Sequence, residues 1–312
     1  MKRIIFFFGL ILFIAFSSPL FAAGIQEERE RSLTQATAPV QTGSSVWKIS
    51  NNDGNFMFLG GSIHVLREKD FPLPEEFDLA FYQSERLVLE ADVKQMEDPQ
   101  VWEYLSNQIF LPDELTLRDI LNDDAYELLS FVCSQYGFSI DDVARIKPSM
   151  VISILSLGQI EEYGFLQQGV DFYYLDKAAN ENRPVFYLET VQSQIDMLVT
   201  MGDGYESEYV LYSLQDMANT EAGLELLLID WREGTSSIME ELLLEMKETW
   251  PQMYKSLITD RHDAWIPQIE EFITSGHVYL VIAGVLHKHG PDGLLQMLEN
   301  LDYNIEQITN NK

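Results

Sequence analysis

Cysteine is almost absent from this chain: Cys133 is the only one in 312 residues. A chain with one thiol has no internal disulfide and no thiolate metal cluster. Positive charge is scarce too, with 20 Lys and Arg against 50 Asp and Glu and a formal net charge of −30. Such a surface repels nucleic-acid phosphates and anionic lipid headgroups, so neither is an expected partner, whereas cationic substrates and metal ions are attracted. No Gly-rich phosphate loop is present and no Ser-His-Asp spacing stands out, which sets nucleotide enzymes and serine hydrolases aside. After Phe16, no stretch stays apolar for the roughly 20 residues that a membrane helix needs.

The one long apolar run, Ile4 to Phe16, follows Lys2 and Arg3 and precedes the small-residue stretch Ser17 to Gly24, which contains Pro19. These are the three parts of a secretory signal, with a core too short to span a bilayer. We expect residues 1–24 to be a signal peptide cleaved at Ala22-Ala23-Gly24, so that the protein is exported, periplasmic or secreted. The alternative is an uncleaved membrane anchor; no Cys stands at the boundary to accept a lipid. Losing Lys2 and Arg3 takes the charge from −30 to −32. Residues 25–44 are charged and then small, without periodicity, and read as a flexible leader. Residues 45–312 read as a single α/β domain. Nothing in the sequence bears on oligomeric state.

Six runs carry strand character: Val46 to Ser50, Asn55 to Gly60, Arg86 to Ala91, Pro184 to Leu188, His277 to Ala283 and Tyr303 to Ile308. The first two flank Asn51-Asn52-Asp53-Gly54, the composition of a hairpin turn. His277 to Ala283 is almost continuously apolar, as suits a strand buried on both faces. Between the runs, apolar residues recur at spacings of three and four, predicting helices from Pro74 to Ser84, Asp123 to Tyr136, Pro148 to Glu162, Val170 to Asn180 and Asp260 to Thr274, among others. The expected architecture is a central mixed sheet with a helix-rich insert or cap over roughly 97 to 250. Cys133, inside one such helix, is expected to be buried as a small hydrophobe.

Two similar devices lie far apart. Phe56 to Gly60 is an apolar run that leads through Gly61 to His64; Val281 to Ala283 leads through Gly284 to His287. Glycine at a strand end permits a close backbone approach and lets the next side chain project into a pocket. Imidazole binds transition metals or moves protons near neutral pH. Glu90 and Glu189 end two further apolar runs. In open α/β sheets, ligands gather beyond the carboxyl ends of strands, so two His with one or two Glu there make a candidate metal site with open positions.

Phe58 to Val65, Phe71-Pro72-Leu73-Pro74 and Ser84 to Asp92 resemble the opening signature of the TraB/PrgY/GumN family, which includes the Tiki metalloproteases. Val281 to His287 and Gly290 to Leu295 resemble its closing signature. Between them Gly169-Val170-Asp171, Leu188-Glu189-Thr190 with Gln194, and Arg261 with Trp265 are similar to family positions, so that the likeness runs from Val46 to Leu301. It implies a fold like the erythromycin-esterase and ChaN group. It also implies a metal-dependent hydrolase of peptidase type, taking a peptide or protein substrate and a divalent metal, Mn or Co favoured and Zn a further choice. By matching position, His64, Glu90 and His287 become the implied metal residues. The chain departs from the family pattern at His262, where Asn is common, and at His289.

Each of these residues then has an expected role. His64 and His287 ligate through neutral imidazole. Glu90 ligates or takes a proton from bound water. Glu189 orients a ligating His. Arg261, one turn before Trp265, stabilises an oxyanion or binds a carboxylate. Gly61 and Gly284 shape the pocket. Asp171 is expected to cap a helix, His262 and His289 to face solvent, and His277 to serve a turn. The rival reading is an exported binding protein that holds a peptide, haem or a metal without turnover.

Overall fold

The computed structural model describes residues 43–166, 168–215 and 220–309. The expected signal peptide and nearly all of the expected leader lie outside them. The described residues form a mixed six-stranded sheet and many helices, and the chain divides into two compact units, one helical and one built on the sheet.

The helical unit comprises Asp92–Phe165 and Thr190–Gly223 among the described residues. Its main helices are Pro99–Gln108, Asp123–Gln135, Pro148–Glu162, Val191–Val199 and Glu206–Gln215. Their starts are written in the sequence. Asp98 accepts from the Gln100 N–H at 2.8 Å and Asn122 from the Ala125 N–H at 2.9 Å, each satisfying a donor that the first helical turn leaves open. Leu129, Cys133, Val151, Leu155 and Tyr209 are buried within this unit.

The sheet unit comprises 43–91, Leu166–Glu189 and Leu224 onward. The predicted helical middle, 97 to 250, is therefore narrower than expected: Val170–Asn180 and the helices after 224 go with the sheet. The strands are β1 (Gly43–Ser50), β2 (Phe56–Ser62), β3 (Arg86–Leu89), β4 (Val185–Tyr187), β5 (Tyr279–Gly284) and β6 (Asn304–Thr309), in the order β4-β3-β5-β2-β1-β6. β1 starts three residues earlier than predicted because Gly43 pairs with Thr309 of β6, across an irregularity in the register. β4, β3, β5 and β2 are mutually parallel, whereas β1 runs antiparallel to β2 and β6. The hairpin between β1 and β2 turns at the predicted Asn51 to Gly54, with φ +86° at Gly54. Every residue of β5 is buried, as its apolar composition requires.

One face of the sheet packs Trp47, Met57, Leu59, Val88 and Val281 against Trp265, Ile269 and Ile273 of the helix Asp260–Thr274. On the other face the Phe77 ring lies beside Gly60, 3.0 Å from where a Cβ would stand, and packs on Trp231 and Tyr174. Each such side chain contributes about 1.5–3 kcal/mol by burial. Asp260–Thr274 does not begin freely: Pro251–Tyr254 leads into a π-helical segment, Lys255–Thr259, which runs directly into it. Such wide turns concentrate at functional sites because the extra residue re-aims the side chains of the next turn, and Arg261 and His262 stand in that turn.

Gly169 starts the helix Val170–Asn180 against the turn that carries His64. The Val170 N–H donates to the Ile63 carbonyl at 3.0 Å, and a Cβ on Gly169 would lie 2.4 Å from the His64 carbonyl atoms. Gly169→Ala must therefore push two backbone segments apart. The expected result is a loss of about 1–3 kcal/mol, the usual cost of overpacking, read as a urea midpoint lower than that of the native chain; an unchanged midpoint would show that the contact does not constrain the fold.

Candidate active site

Because β2, β3, β4 and β5 are parallel, their carboxyl ends open on one edge. Ser62 pairs with Gly284 in register, and the Glu189 N–H donates to the Glu90 carbonyl at 2.8 Å just beyond β3 and β4. Residues that the sequence spreads over more than 220 positions, His64, Glu90, Glu189 and His287, are brought to this edge. At its centre is Gly284. A Cβ there would meet His64 Nε2 at 3.2 Å, Glu90 Oε1 at 3.3 Å and His287 Cδ2 at 3.4 Å. The absence of a side chain lets three polar groups converge on bare backbone, and the Gly284 N–H donates to Glu90 Oε1 at 2.5 Å. Gly61, one strand over, is close to Val285 and Ser45.

Each polar group has a determinate partner. His64 Nδ1 lies 3.1 Å from Asp171 Oδ1, which also accepts from Ser62 Oγ at 2.7 Å. Asp171 thus orients His64 and does not cap its helix, whose first flanking residue is Gly169 and has no side chain to give. His64 Nε2 has no hydrogen-bond partner among the described residues. Burial alone would lower the pKa of His64, but Asp171, bonded to its ring, and Glu90 override it and the net shift is upward.

Arg261, 6 % exposed, is the hub. Its Nε donates to Glu189 Oε1 at 2.7 Å and its NH2 group to Glu189 Oε2 at 3.1 Å and Glu90 Oε2 at 2.5 Å, while NH1 lies 2.8 Å from His287 Nε2. The ring of Trp265 lies 4.6 Å from the guanidinium carbon, and its Nε1–H donates to Glu189 Oε1 at 2.8 Å. Glu189 therefore holds Arg261 and Trp265 instead of orienting a histidine as expected. Burial would raise the Glu90 pKa, yet Arg261, His64 and the Gly284 N–H bring it down to about 2. A carboxylate that acidic is a poor proton acceptor at neutral pH, against the expected role as base.

His262 and His289, expected at the surface, are both buried. His262 Nε2 lies 2.9 Å from His287 Nδ1, and its Nδ1 lies 2.6 Å from the Asp292 carbonyl oxygen. His289 packs edge-on against Trp47 at 5.4 Å. His277 is half-buried and bonds Glu85 Oε2 at 2.8 Å. The neighbouring Lys288 is fully buried, and its ammonium donates to the carbonyls of Ala283 at 2.6 Å and Gly284 at 3.3 Å, fixing the turn on which the site rests. Burial pushes the pKa of Lys288 down to about 7 and that of His262 to about 4; it also takes His287 well below its ordinary value, with Arg261 adding to the fall. Only the reach of Asp260–Thr274 over the sheet edge tells His262 apart from a surface residue, and no local pattern carries that.

Residues 45–307 match the model of the TraB/PrgY/gumN family. The chain belongs to that family. Among curated proteins it is similar to Uncharacterized protein YbaP of Escherichia coli (strain K12), 26 % identical over 152 residues, covering 48 % of this chain and 54 % of that protein. It is also similar to YbaP of Shigella flexneri, 25 % identical over 144 residues, 46 % of this chain and 52 % of that one. The alignments span about half the length of these curated relatives. No solved structure matches.

The metal that the TraB/PrgY/gumN resemblance implied can be tested against this arrangement. His64 has the form of a ligand, with one nitrogen tied to a carboxylate and the other bare. His287 does not: Arg261 faces Nε2 and His262 faces Nδ1, so neither nitrogen is open. Among the described residues no group of three His, Cys, Asp or Glu side chains has the geometry to hold a metal ion. The three-ligand set His64, Glu90 and His287 therefore does not fit the folded arrangement, in which the guanidinium of Arg261 supplies the positive charge between Glu90 and His287.

The low pKa of Glu90 is also a statement about stability. A folded-state value lowered from 4.5 to about 2 contributes stability that is present above 4.5 and lost as pH falls toward 2. The contribution is roughly 3 kcal/mol at neutral pH, at about 1.36 kcal/mol per unit. Glu90→Gln is expected to be less stable than the native chain at pH 7, where Arg261 loses a counter-charge, and to lose less on acidification. Urea midpoints at pH 7 and pH 3 measure both; parallel losses in the two proteins would refute the assignment.

Proposed function

We propose that the chain is an exported hydrolase of peptides or proteins that activates water at the Gly284 edge, with His64 as the group that takes the proton. The observation that carries this reading is the His64–Asp171 pair. Asp171 holds Nδ1, so the ring's bare Nε2 is presented beside Glu90 and Gly284. A water there gives its proton to Nε2 as its oxygen attacks a carbonyl carbon, and the imidazolium then returns the proton to the leaving amine. Asp171 stabilises that imidazolium, the service a carboxylate renders to any catalytic histidine. Arg261, whose donors meet Glu189, Glu90 and His287, keeps Glu90 ionised and in place and is not free to follow an oxyanion. The likeness to the erythromycin-esterase and ChaN fold group is part of this proposal and rests on the family resemblance.

A second reading is favoured by the same bare Nε2. In it His64 and Glu90 would be the residues to hold a divalent metal, Mn or Co before Zn, whose chemistry would be Lewis acidity. Elemental analysis of the purified chain separates the two. Hydrolysis that survives chelation, without stoichiometric metal, supports the first reading. About one equivalent of metal, lost in His64→Ala together with activity, supports the second. Metal or haem bound with no peptide cleaved under any condition would leave a binding protein and end both.

If neutral His64 is the base, the rate rises with pH to a midpoint above 6.5, because the folded protein holds the imidazolium more tightly than water does. Asp171→Asn is expected to move that midpoint down and to lower kcat/KM by up to about 10⁴-fold, the loss that follows when the carboxylate behind a catalytic histidine is replaced by its amide. An unchanged pH profile in this variant would exclude His64 as the base.

A further inference from the structure

The hydrogen bonds around His287 allow one arrangement of protons. Arginine has donors and no acceptor, so the NH1 group facing His287 Nε2 at 2.8 Å makes that nitrogen an acceptor. The proton of neutral His287 then sits on Nδ1, which donates to His262 Nε2 at 2.9 Å. That in turn leaves the His262 proton on Nδ1, where the Asp292 carbonyl oxygen, an acceptor only, receives it at 2.6 Å. Reversing any member would set two acceptors or two donors against each other in a place where His262 and His287 are 0 % and 4 % exposed and water cannot make good the loss. The far end is anchored too: the Asp292 carboxylate accepts from Lys247 Nζ at 2.6 Å and Tyr254 OH at 2.9 Å. From the near end, Arg261 passes the orientation on to Glu90 and Glu189.

We propose that His262 is a positioning residue: with His287 it forms a directional pair, both rings neutral and protonated on Nδ1, that fixes the guanidinium of Arg261 and through it the carboxylate of Glu90 beside His64. Neither histidine ligates or transfers a proton in this role. The effect on rate rests on the active-site reading given above, but the arrangement of protons does not. Asparagine offers both kinds of group, a carbonyl that can accept and an amide that can donate, whereas leucine fills the space and offers neither.

The test uses the purified chain labelled with ¹⁵N-histidine and long-range proton–nitrogen correlation spectra, which report which ring nitrogen carries the proton. His262 and His287 are both expected as the neutral Nδ1–H form. His262→Leu is expected to change the His287 pattern and to lower kcat/KM about tenfold or more, while His262→Asn keeps the His287 pattern and stays within about threefold of native. A native His287 protonated on Nε2, or on both nitrogens, would overturn the proposal, as would a His262→Leu protein with native spectrum and rate. Should His262→Leu fail to fold, the native spectrum and His262→Asn still decide. If the spectra are as expected but no peptide is cleaved by any form, the hydrolase reading fails and the ordered pair stands.

Discussion

Arginine cannot be neutralised by losing a proton, so burying Arg261 obliges its surroundings to supply opposite charge and hydrogen-bond acceptors in fixed directions. Glu189 meets the guanidinium with both oxygens, Glu90 with one, and His287 with a ring nitrogen. Each is constrained in turn: Glu90 by the Gly284 N–H, Glu189 by Trp265 and His287 by His262. The carboxyl ends of β3, β4 and β5 are joined to the helix Asp260–Thr274 through this one cation. The apolar packing of that helix on the sheet sets its distance, and the guanidinium sets its rotation.

The same cation organises the site electrostatically. It holds Glu90 ionised far below the ordinary carboxylate range and helps to keep His287 neutral, whereas His64, bonded to Asp171 on its other side, is pushed the opposite way. Two histidines that look alike in the sequence, each three residues after a glycine, are therefore chemically unlike. One is a neutral member of a hydrogen-bond chain, and the other has a bare nitrogen and a raised affinity for a proton. Burial acts on both in the same direction, so the nearest charge, Asp171 for one and Arg261 for the other, accounts for that difference.

Glycine makes the convergence possible at two points. Gly284 leaves the space into which His64, Glu90 and His287 project, and Gly169 lets the helix that carries Asp171 come against the backbone of His64. Neither has a positive φ, so their value is the missing Cβ and not backbone freedom. At Gly54 the reverse holds: φ is +86° in open space and the turn itself requires glycine.

All six strands and the longer helices were legible in the sequence to within a few residues, because periodicity, caps and turn residues act over a few positions and are written locally. So were His64, Glu90, Glu189, Arg261 and His287, since each comes after an apolar run or shares a helix face with Trp265. What the sequence did not determine was which of them meet. Asp171 reads as a cap and His262 as a surface residue until the fold brings one to His64 and the other to His287, across 107 and 25 positions. Hydrogen-bond partners and burial are properties of three-dimensional neighbours, and the dielectric and charge around a group settle whether it is a ligand, a base or a strut. The chain alone determined that two histidines and two glutamates follow apolar runs; the tertiary structure decided that those runs are neighbouring parallel strands and that Arg261 lies among their ends, because strand order and packing are settled by distant neighbours.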